Sequence, residues 1–424
     1  MSNQSDNQMD RMLLRALIKL AKTRQDDGLV YVNAMGLATG TLGAPGIPGH
    51  YLEVNFDEPI VGDASFELVM TADELAAATR LRQSRLAVTA SEDSDDVEIN
   101  GVKLSAVESQ DRLSEHPNPP RPSASGKPRL RVMVDQTFRD AVARAFPATD
   151  ADNPSFKKYT SGVAVDLVRS RVMATDNNRL HLVTSATASD PAVKVIGLEG
   201  DALMAHEAIM LIHVAAAQLL PLGAVDIEWH PSSSPSDEKS RSSLMIMRGS
   251  TPTGVSWMWT TECDSAPQYP DVDRIIPARV NGAVVVLGAS DENLEQQPLV
   301  VQFPSCVKEL REWVAQCKRL TGPRSQLPPV VLDPAHGLLR AGPEASVQFR
   351  LPIESIQTAK LTEVPADGAA RNWPVMAVDP VYLADAIEHL QPNTRWDVNV
   401  PPGLWVATDQ NGMTAILQQK LNPS

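Results

Sequence analysis

Met173-Ala-Thr-Asp-Asn-Asn-Arg-Leu-His-Leu-Val183 predicts a β-hairpin. Val172 and Met173 close an apolar run, Asp176, Asn177 and Asn178 tolerate positive φ at a turn, and Leu180 and Leu182 alternate along a return strand. Arg179 is left at the shoulder of the turn. Alone, this is an ordinary hairpin. Its surroundings give it weight, because the chain repeats them and because a second short motif, Tyr269-Pro-Asp-Val-Asp-Arg-Ile-Ile-Pro277, follows.

Working outward, Gly162 to Val172 and Leu180 to Val183 read as the strands that flank the turn, and Asp135 to Phe146 as a helix. Val193–Gly197 and Val225–Trp229 read as strands, Asp201 to Leu220 as a helix, and Leu244–Met247 with Val255–Thr260 as a further hairpin. The same order recurs towards the C-terminus. Strands are expected at Leu299–Phe303, Pro329–Asp333, Leu338–Arg340, Ser346–Leu351, Val375–Val378, Trp396–Val400, Leu404–Ala407 and Thr414–Leu417, with helices at Ser305–Leu320 and Asp379–Leu390. Towards the N-terminus, Met9 to Arg24 is an amphipathic helix and Leu29 to Val32 a strand. The Gly- and Pro-rich segment from Gly36 to Gly49 reads as a loop without the Gly-Lys-Ser/Thr ending of a phosphate-cradling loop. Ala64–Met70 is a strand leading into a helix that Thr71 and Glu74 cap as a box. Arg85–Ala90 is a strand, Ser91 to Asp96 a solvated acidic turn, and two short strands flank Asn100-Gly101. Met70-Thr-Ala-Asp-Glu-Leu75, Met204-Ala-His-Glu-Ala-Ile209 and Val378-Asp-Pro-Val-Tyr-Leu383 look alike, and Val406-Ala-Thr-Asp-Gln-Asn411 echoes Met173-Ala-Thr-Asp-Asn-Asn178. Three similar α+β units of two helices and about eight strands account for this. The expected boundaries are 1–116, 129–272 and 273–424, with a Pro-rich linker at 117–128; His116 to Pro128 holds five prolines.

A chain of 424 residues supports two to four domains. Its net charge of −14 excludes a wholly basic nucleic-acid footprint, so any phosphate contact must come from local patches. Arg11, Arg15, Lys19 and Lys22 form such a stripe along the first helix. Three cysteines without paired spacing (Cys263, Cys306, Cys317) argue against a zinc site or a disulfide framework. No metal and no cofactor are expected. A catalytic reading has little to stand on: there is no Gly-x-Ser-x-Gly, no His-Glu-x-x-His and no Walker motif. A polar N-terminus and the lack of a long apolar run lead to the expectation of a cytoplasmic protein with no membrane contact.

Ala174-Thr-Asp-Asn-Asn-Arg-Leu180 resembles the Ala-Thr-Asp-Gly-His-Arg-Leu of bacterial DNA sliding clamps, the β subunit of DNA polymerase III. Tyr269 to Pro277 is similar to that family's Phe-Pro-Asp-Tyr-Arg-Arg-Val-Leu-Pro, and Val381-Tyr-Leu-Ala-Asp-Ala-Ile387 to its last helix. The resemblance implies the DNA clamp fold, a non-catalytic processivity factor, and a head-to-tail homodimeric ring around double-stranded DNA. It implies DNA-facing residues Arg11, Arg15, Lys19, Lys22 and Arg24 in the first domain and Lys308, Arg311 and Lys318 in the third. It also implies a groove between the second and third domains that takes peptides from DNA polymerase and clamp-loader subunits. The groove positions are Thr160, Thr175, Asn177, Asn178, Arg179, Leu180, Pro270, Arg274, Ile275, Ala415, Leu417, Gln418, Gln419, Lys420 and Leu421.

The departures are specific. Asn177-Asn178 replaces the family's Gly-His, Thr160 stands where an apolar residue is usual, and Leu417-Gln-Gln-Lys-Leu421 replaces Met-Pro-Met-Arg-Leu. Asp73 and His206-Glu207 fall where basic residues near DNA are usual. Those acidic substitutions leave open a second reading, a clamp-like binding module that sequesters clamp partners without being loaded on DNA. Leu104 to Val107 is the expected dimer-forming edge.

Overall fold

The computed structural model describes residues 3–22, 29–34, 40–45, 50–56, 60–61, 66–79, 86–90, 97–104, 130–150, 159–184, 191–196, 209–230, 243–263, 269–280, 283–286, 299–303, 306–321, 327–334, 336–342, 345, 347–353, 355–358, 376–400 and 403–419. The linker at 117–128, the acidic turn at 91–96, His206-Glu207, Ser105 to Val107, Arg24, Lys420 and Leu421 lie outside them.

In chain order the first part contains α1 (Asn3–Ala21), β1 (Leu29–Ala34), β2 (Gly40–Pro45), β3 (His50–Phe56), β4 (Ile60–Val61), β5 (Phe66–Thr71), α2 (Ala72–Thr79), β6 (Leu86–Ala90), β7 (Val97–Ile99) and β8 (Val102–Leu104). The middle contains β9 (Leu130–Met133), α3 (Gln136–Ala145), β10 (Gly162–Asp166), β11 (Arg171–Thr175), β12 (Arg179–Val183), β13 (Lys194–Ile196), β14 (Ile209–His213), α4 (Val214–Ala217), β15 (Ala224–His230), β16 (Ser243–Ser250) and β17 (Ser256–Cys263). The last part contains β18 (Pro277–Val280), β19 (Ala283–Val286), β20 (Leu299–Gln302), α5 (Val307–Thr321), β21 (Val330–Asp333), β22 (Leu338–Ala341), β23 (Arg350–Pro352), β24 (Ser355–Thr358), β25 (Met376–Val378), α6 (Pro380–His389), β26 (Arg395–Val400), β27 (Leu404–Thr408) and β28 (Met413–Gln418).

Two compact units result, Met1–Arg139 with Val193–Ala208 and Ile212–Pro267, and Asp140–Ala192 with Ile209–Leu211 and Gln268–Ser424. The first holds a nine-stranded sheet, β13-β9-β15-β16-β17-β3-β2-β1-β5, and a four-stranded one, β4-β6-β7-β8. The second is built on β14-β10-β11-β12-β28-β27-β26-β20-β24, with β23-β22-β21-β25 and the β18-β19 hairpin beside it. One strand order recurs in three places: β5-β1-β2-β3, β14-β10-β11-β12 and β25-β21-β22-β23. Each is an antiparallel meander flanked by the strand that enters a second helix. Twice the third strand of a meander pairs with a strand far along the chain. β3 pairs with β17 (Leu52↔Trp259), and β12 pairs with β28 (Leu180↔Ile416). One departure from the repeat is visible. β9 and β20 pair antiparallel with β15 and β26, whereas the corresponding place beside β6 is taken by β4, which runs parallel (Ile60↔Leu86).

Local chemistry accounts for the element ends. In α1 the buried Leu13, Leu14, Leu17 and Leu20 recur at helical spacing, and the polar positions between them stay in water. The α2 cap is reciprocal: Thr71 N–H donates to Glu74 Oε2 at 2.6 Å and Glu74 N–H to Thr71 Oγ1 at 3.2 Å. Asp379 accepts from Val381 N–H at 2.9 Å, ahead of a proline in the first turn of α6. In the first unit Trp257 and Trp259 are fully enclosed. In the second, Phe303 stacks on Trp405 (ring centroids 6.0 Å, 9° between planes) and meets Trp396 edge-on.

Four expectations are corrected. Ile209–His213 is a strand, so the helix expected over 201–220 is confined, among the described residues, to Val214–Ala217. The alignment of Met204 with Met70 and Val378 was therefore out of register; His213, whose ring accepts from Ala215 N–H, holds the cap position of Thr71 and Asp379. Gly40–Pro45 is a strand, stitched between β1 and β3 on both sides. Gly162 to Val172 is two strands, with a turn at Leu167–Ser170 in which Ser170 has φ 52°. Of the strand expected over 346–351, only its end belongs to β23.

Candidate functional site

The hairpin of β11 and β12 is closed by its own polar side chains. Asp176 Oδ1 accepts from the N–H groups of Asn178 (3.0 Å) and Arg179 (3.1 Å). Thr175 Oγ1 donates to the Arg179 carbonyl at 2.6 Å and accepts from Asn177 N–H at 3.1 Å. Asn177 carries φ 76°, a conformation that asparagine tolerates, and its Oδ1 accepts from Tyr159 O–H at 2.5 Å. The C-terminal strand lies alongside: Arg179 faces Leu417, His181 faces Ala415, and the Asn178 carbonyl accepts from Gln418 N–H at 2.8 Å.

Strand alternation divides these residues between two faces. Leu180 and Ile416 share one face and join Ala164, Met173, Leu182, Val272, Val400 and Val406 in a buried cluster. Full burial of each large member contributes roughly 1.5–3 kcal/mol. Ile209, Leu211, Tyr269, Ile276 and Leu404 pack against the cluster and are only partly buried, so its rim is apolar. Ile275 is 41% exposed beside it. Arg274, in the 3-10 turn Val272–Arg274, extends its side chain into water near Asp271. Arg171 anchors that turn, with Nε on Asp166 Oδ2 at 3.0 Å and its two terminal nitrogens on Asp273 at 2.6 and 3.2 Å. These hydrogen bonds hold the Asp273 carboxyl below the usual carboxylate range, against partial burial, which raises it. Burial pushes the Tyr269 phenol up, and its ring meets Tyr159 edge-on at 5.5 Å.

The opposite face carries Arg179. Its Nε is 3.0 Å from Asp176, a terminal nitrogen donates to Asp385 in α6, and the guanidinium lies over the Tyr382 ring, 4.2 Å from the centroid. Burial first, and then Asp176, push the Tyr382 phenol up to about 12, so the ring is a neutral π-surface. His181 is pushed down to about 3 by burial, with the charge of Arg179 adding to the effect. Its Nδ1 lies 3.1 Å from the Arg144 carbonyl.

The structure splits the sequence-derived positions: Thr175 and Leu180 lie on the cluster face of the paired strands, whereas Arg179, Ala415 and Leu417 alternate onto the opposite face. Asn177 and Asn178 form the connecting turn, Gln418 ends β28 and Gln419 follows it, and Asn177 is tied to the turn that holds Thr160. Pro270, Arg274 and Ile275 border the cluster through Tyr269 and Val272. Thr160, Ala415 and Leu417 are buried. Sequence reasoning missed Ile416, Val272 and Tyr269 at the cluster, and Tyr382 and Asp385 under Arg179. The last two lie three residues apart within the motif Val381–Ile387, a spacing that puts both on one helix face.

On the basic stripes, Arg15 and Lys19 are exposed on α1, Lys22 is exposed just after its end, and Lys308 and Lys318 are exposed on α5. Arg11 lies in α1, with its side chain outside the described set. Lys22 pairs with Asp73 at 2.5 Å, and Arg311 with Asp385 (2.5 Å) and Glu388 (2.7 Å).

No family model matches the sequence, and no curated protein matches it. Solved structures do. The chain is similar to a DNA polymerase sliding clamp from Pseudomonas aeruginosa solved with a ligand (14% identity, 97% of this chain and 98% of that one, TM-score 0.54). It is similar to the Helicobacter pylori β clamp bound to a DNA ligase peptide (13% identity, 98% of each chain, TM-score 0.55). It is also similar to the DNA polymerase III subunit β of Borrelia burgdorferi in complex with a natural product (12% identity, 98% and 97%, TM-score 0.58). Coverage of nearly the whole of both chains shows that this protein has the α+β sliding-clamp fold. Among the described residues no helix is long and apolar enough to cross a membrane.

Proposed function

We propose that the chain is a DNA sliding clamp, a non-catalytic processivity factor that closes as a head-to-tail homodimeric ring around duplex DNA. One observation carries this reading. The third strand of a meander pairs with the last strand of another repeat in β3–β17 and in β12–β28. The third meander ends on β23, and the first repeat ends on β8; among the described residues both are sheet edges. A second copy of the chain supplies the missing partner for each, and two such contacts close a ring. Leu104, the start of the edge expected to dimerise, ends β8. On this reading the three domains are 1–116, 129–272 and 273–424, and the exposed Arg15, Lys19, Lys308 and Lys318 meet phosphates without base readout. The apolar rim around Leu180, Val272 and Ile416 takes peptides from polymerase and clamp-loader subunits, as the Helicobacter pylori clamp takes a DNA ligase peptide.

Size-exclusion chromatography with light scattering tests the ring: a dimer is expected, and a strict monomer at micromolar concentration overturns the reading. Loading on nicked circular DNA then separates it from the second reading, a clamp-like module that binds clamp partners without encircling DNA. That alternative is favoured by the neutralisation of Lys22 by Asp73 and of Arg311 by Asp385 and Glu388. Retention on circles and loss after linearisation supports the clamp, and no retention on either supports the module.

A further inference from the structure

We propose that Asp385 is a positioning residue shared by two functional regions, coupling the charge on Arg311 to the grip on Arg179. The identity of the ligands rests on the clamp reading; the coupling itself does not. One carboxylate serves two guanidiniums. Asp385 Oδ1 lies 2.5 Å from Arg311 Nη2, and Oδ2 accepts from Arg179 Nη1. The carboxylate is 11% exposed and the Arg179 side chain 8%, so the pair is poorly hydrated. Arg311 is different: it is 39% exposed, and the same Nη2 that meets Asp385 also meets Glu388 at 2.7 Å. An anion therefore has access to the Arg311 guanidinium and not to that of Arg179. Arg311 lies on α5 with the exposed Lys308 and Lys318, whereas Arg179 lies at the tip of the β11–β12 hairpin over Tyr382.

The sign follows from Coulomb's law in a poorly hydrated site. A phosphate that engages Arg311 removes positive charge from beside Asp385. Asp385 then holds Arg179, and with it the tip of the β11–β12 hairpin, more tightly against Tyr382, so the hairpin that carries Leu180 yields less to a peptide on the apolar rim. By reciprocity, a peptide that shifts the hairpin and loosens Arg179 from Asp385 leaves Asp385 to Arg311 and weakens the phosphate contact by the same factor. Because Arg311 is partly exposed and screened, the factor is expected at the low end of such couplings, about three- to fivefold.

The relay is read first without any ligand. In nitrogen-15 spectra of the arginine Nε–H groups, with the Arg179 signal assigned by Arg179→Lys, Arg311→Gln should shift that signal. In the Asp385→Asn background, the same Arg311→Gln should leave it in place. An Arg179 signal indifferent to Arg311→Gln in the otherwise native full-length protein overturns the proposal. The ligand arm uses a short linear duplex and the DNA ligase peptide of the Helicobacter pylori clamp as probes. Saturating duplex should weaken the peptide about three- to fivefold in the native protein and leave it unchanged in Arg311→Gln. Equal peptide affinity with and without duplex in the native protein also overturns the coupling. If neither probe binds, the clamp reading fails, and the Arg179 signal still decides the role of Asp385.

Discussion

Replacing Arg171 with Met should loosen the 3-10 turn that inserts Val272 into the apolar cluster. Arg171 is 7% exposed and Asp166 0%. Losing the guanidinium leaves the buried Asp166 with only the longer contact to the exposed Arg169 (3.4 Å) as its cation and leaves Asp273 to Arg169 alone (3.1 Å), while the methionine keeps the aliphatic packing. Removing one partner of a buried pair costs about 3–5 kcal/mol. Asp166 retains the N–H groups of Val168 (3.2 Å) and Arg169 (2.9 Å), so the lower figure, about 3 kcal/mol, is expected. For a unit of 150–250 residues each kcal/mol moves Tm by roughly 2–4 °C, which puts the fall at roughly 6–12 °C. The pH dependence adds a second signature. Asp273 has a depressed carboxyl pKa in the folded state, so its contribution is present above the unfolded carboxylate pKa, about 4, and is lost as pH falls through the folded value. The gap between native and Arg171→Met should therefore be widest near neutrality and shrink below about pH 4. Thermal unfolding across pH measures both, and hydrogen exchange at Ile275, whose N–H donates to Val272 at 3.0 Å, reports the turn itself. A Tm within about 2 °C of native at pH 7, or a gap that stays constant into acid, would refute this account.

Other outcomes follow from the same geometry. Thr71→Ala removes one half of the α2 capping box and should cost about 1 kcal/mol, read as faster exchange at the amides of Asp73 to Leu75; unchanged exchange counts against the cap. Gly412 has φ 71°, and a Cβ there would stand 2.2 Å from the Thr184 carbonyl, so Gly412→Ala should cost at least about 2 kcal/mol in thermal unfolding, and a native-like Tm would contradict it. His181, held down to about 3 by burial, should stay neutral at pH 5 in imidazole NMR spectra. Protonation then favours the unfolded chain, so its contribution to stability is full above about pH 6.5 and is lost as pH falls towards 3; a His181 signal titrating near 6.5 would show that the ring is not enclosed.

What the residues determined alone is what short-range chemistry controls. Asp176 and Asn177 make the hairpin tip because their side chains satisfy neighbouring N–H groups and tolerate positive φ. Thr71 and Glu74 start a helix because each side chain satisfies the other's N–H, and the leucines of α1 define one face by spacing. Three rounds of helix and strand are legible for the same reason. Tertiary structure decided the rest. Ile209 to Ala217 is apolar almost throughout, so periodicity cannot separate strand from helix, and pairing beside β10 makes the difference. Gly40–Pro45 has poor strand propensity and is extended because β1 and β3 hold it on both sides. The meeting of β12 with β28, and of Arg179 with Asp385 across 206 positions, depends on contacts no local pattern encodes. The basic residues show the same limit. Spacing made Arg311 one of a stripe with Lys308 and Lys318, but packing of α6 against α5 gave it two carboxylates and turned a free charge into a shared one.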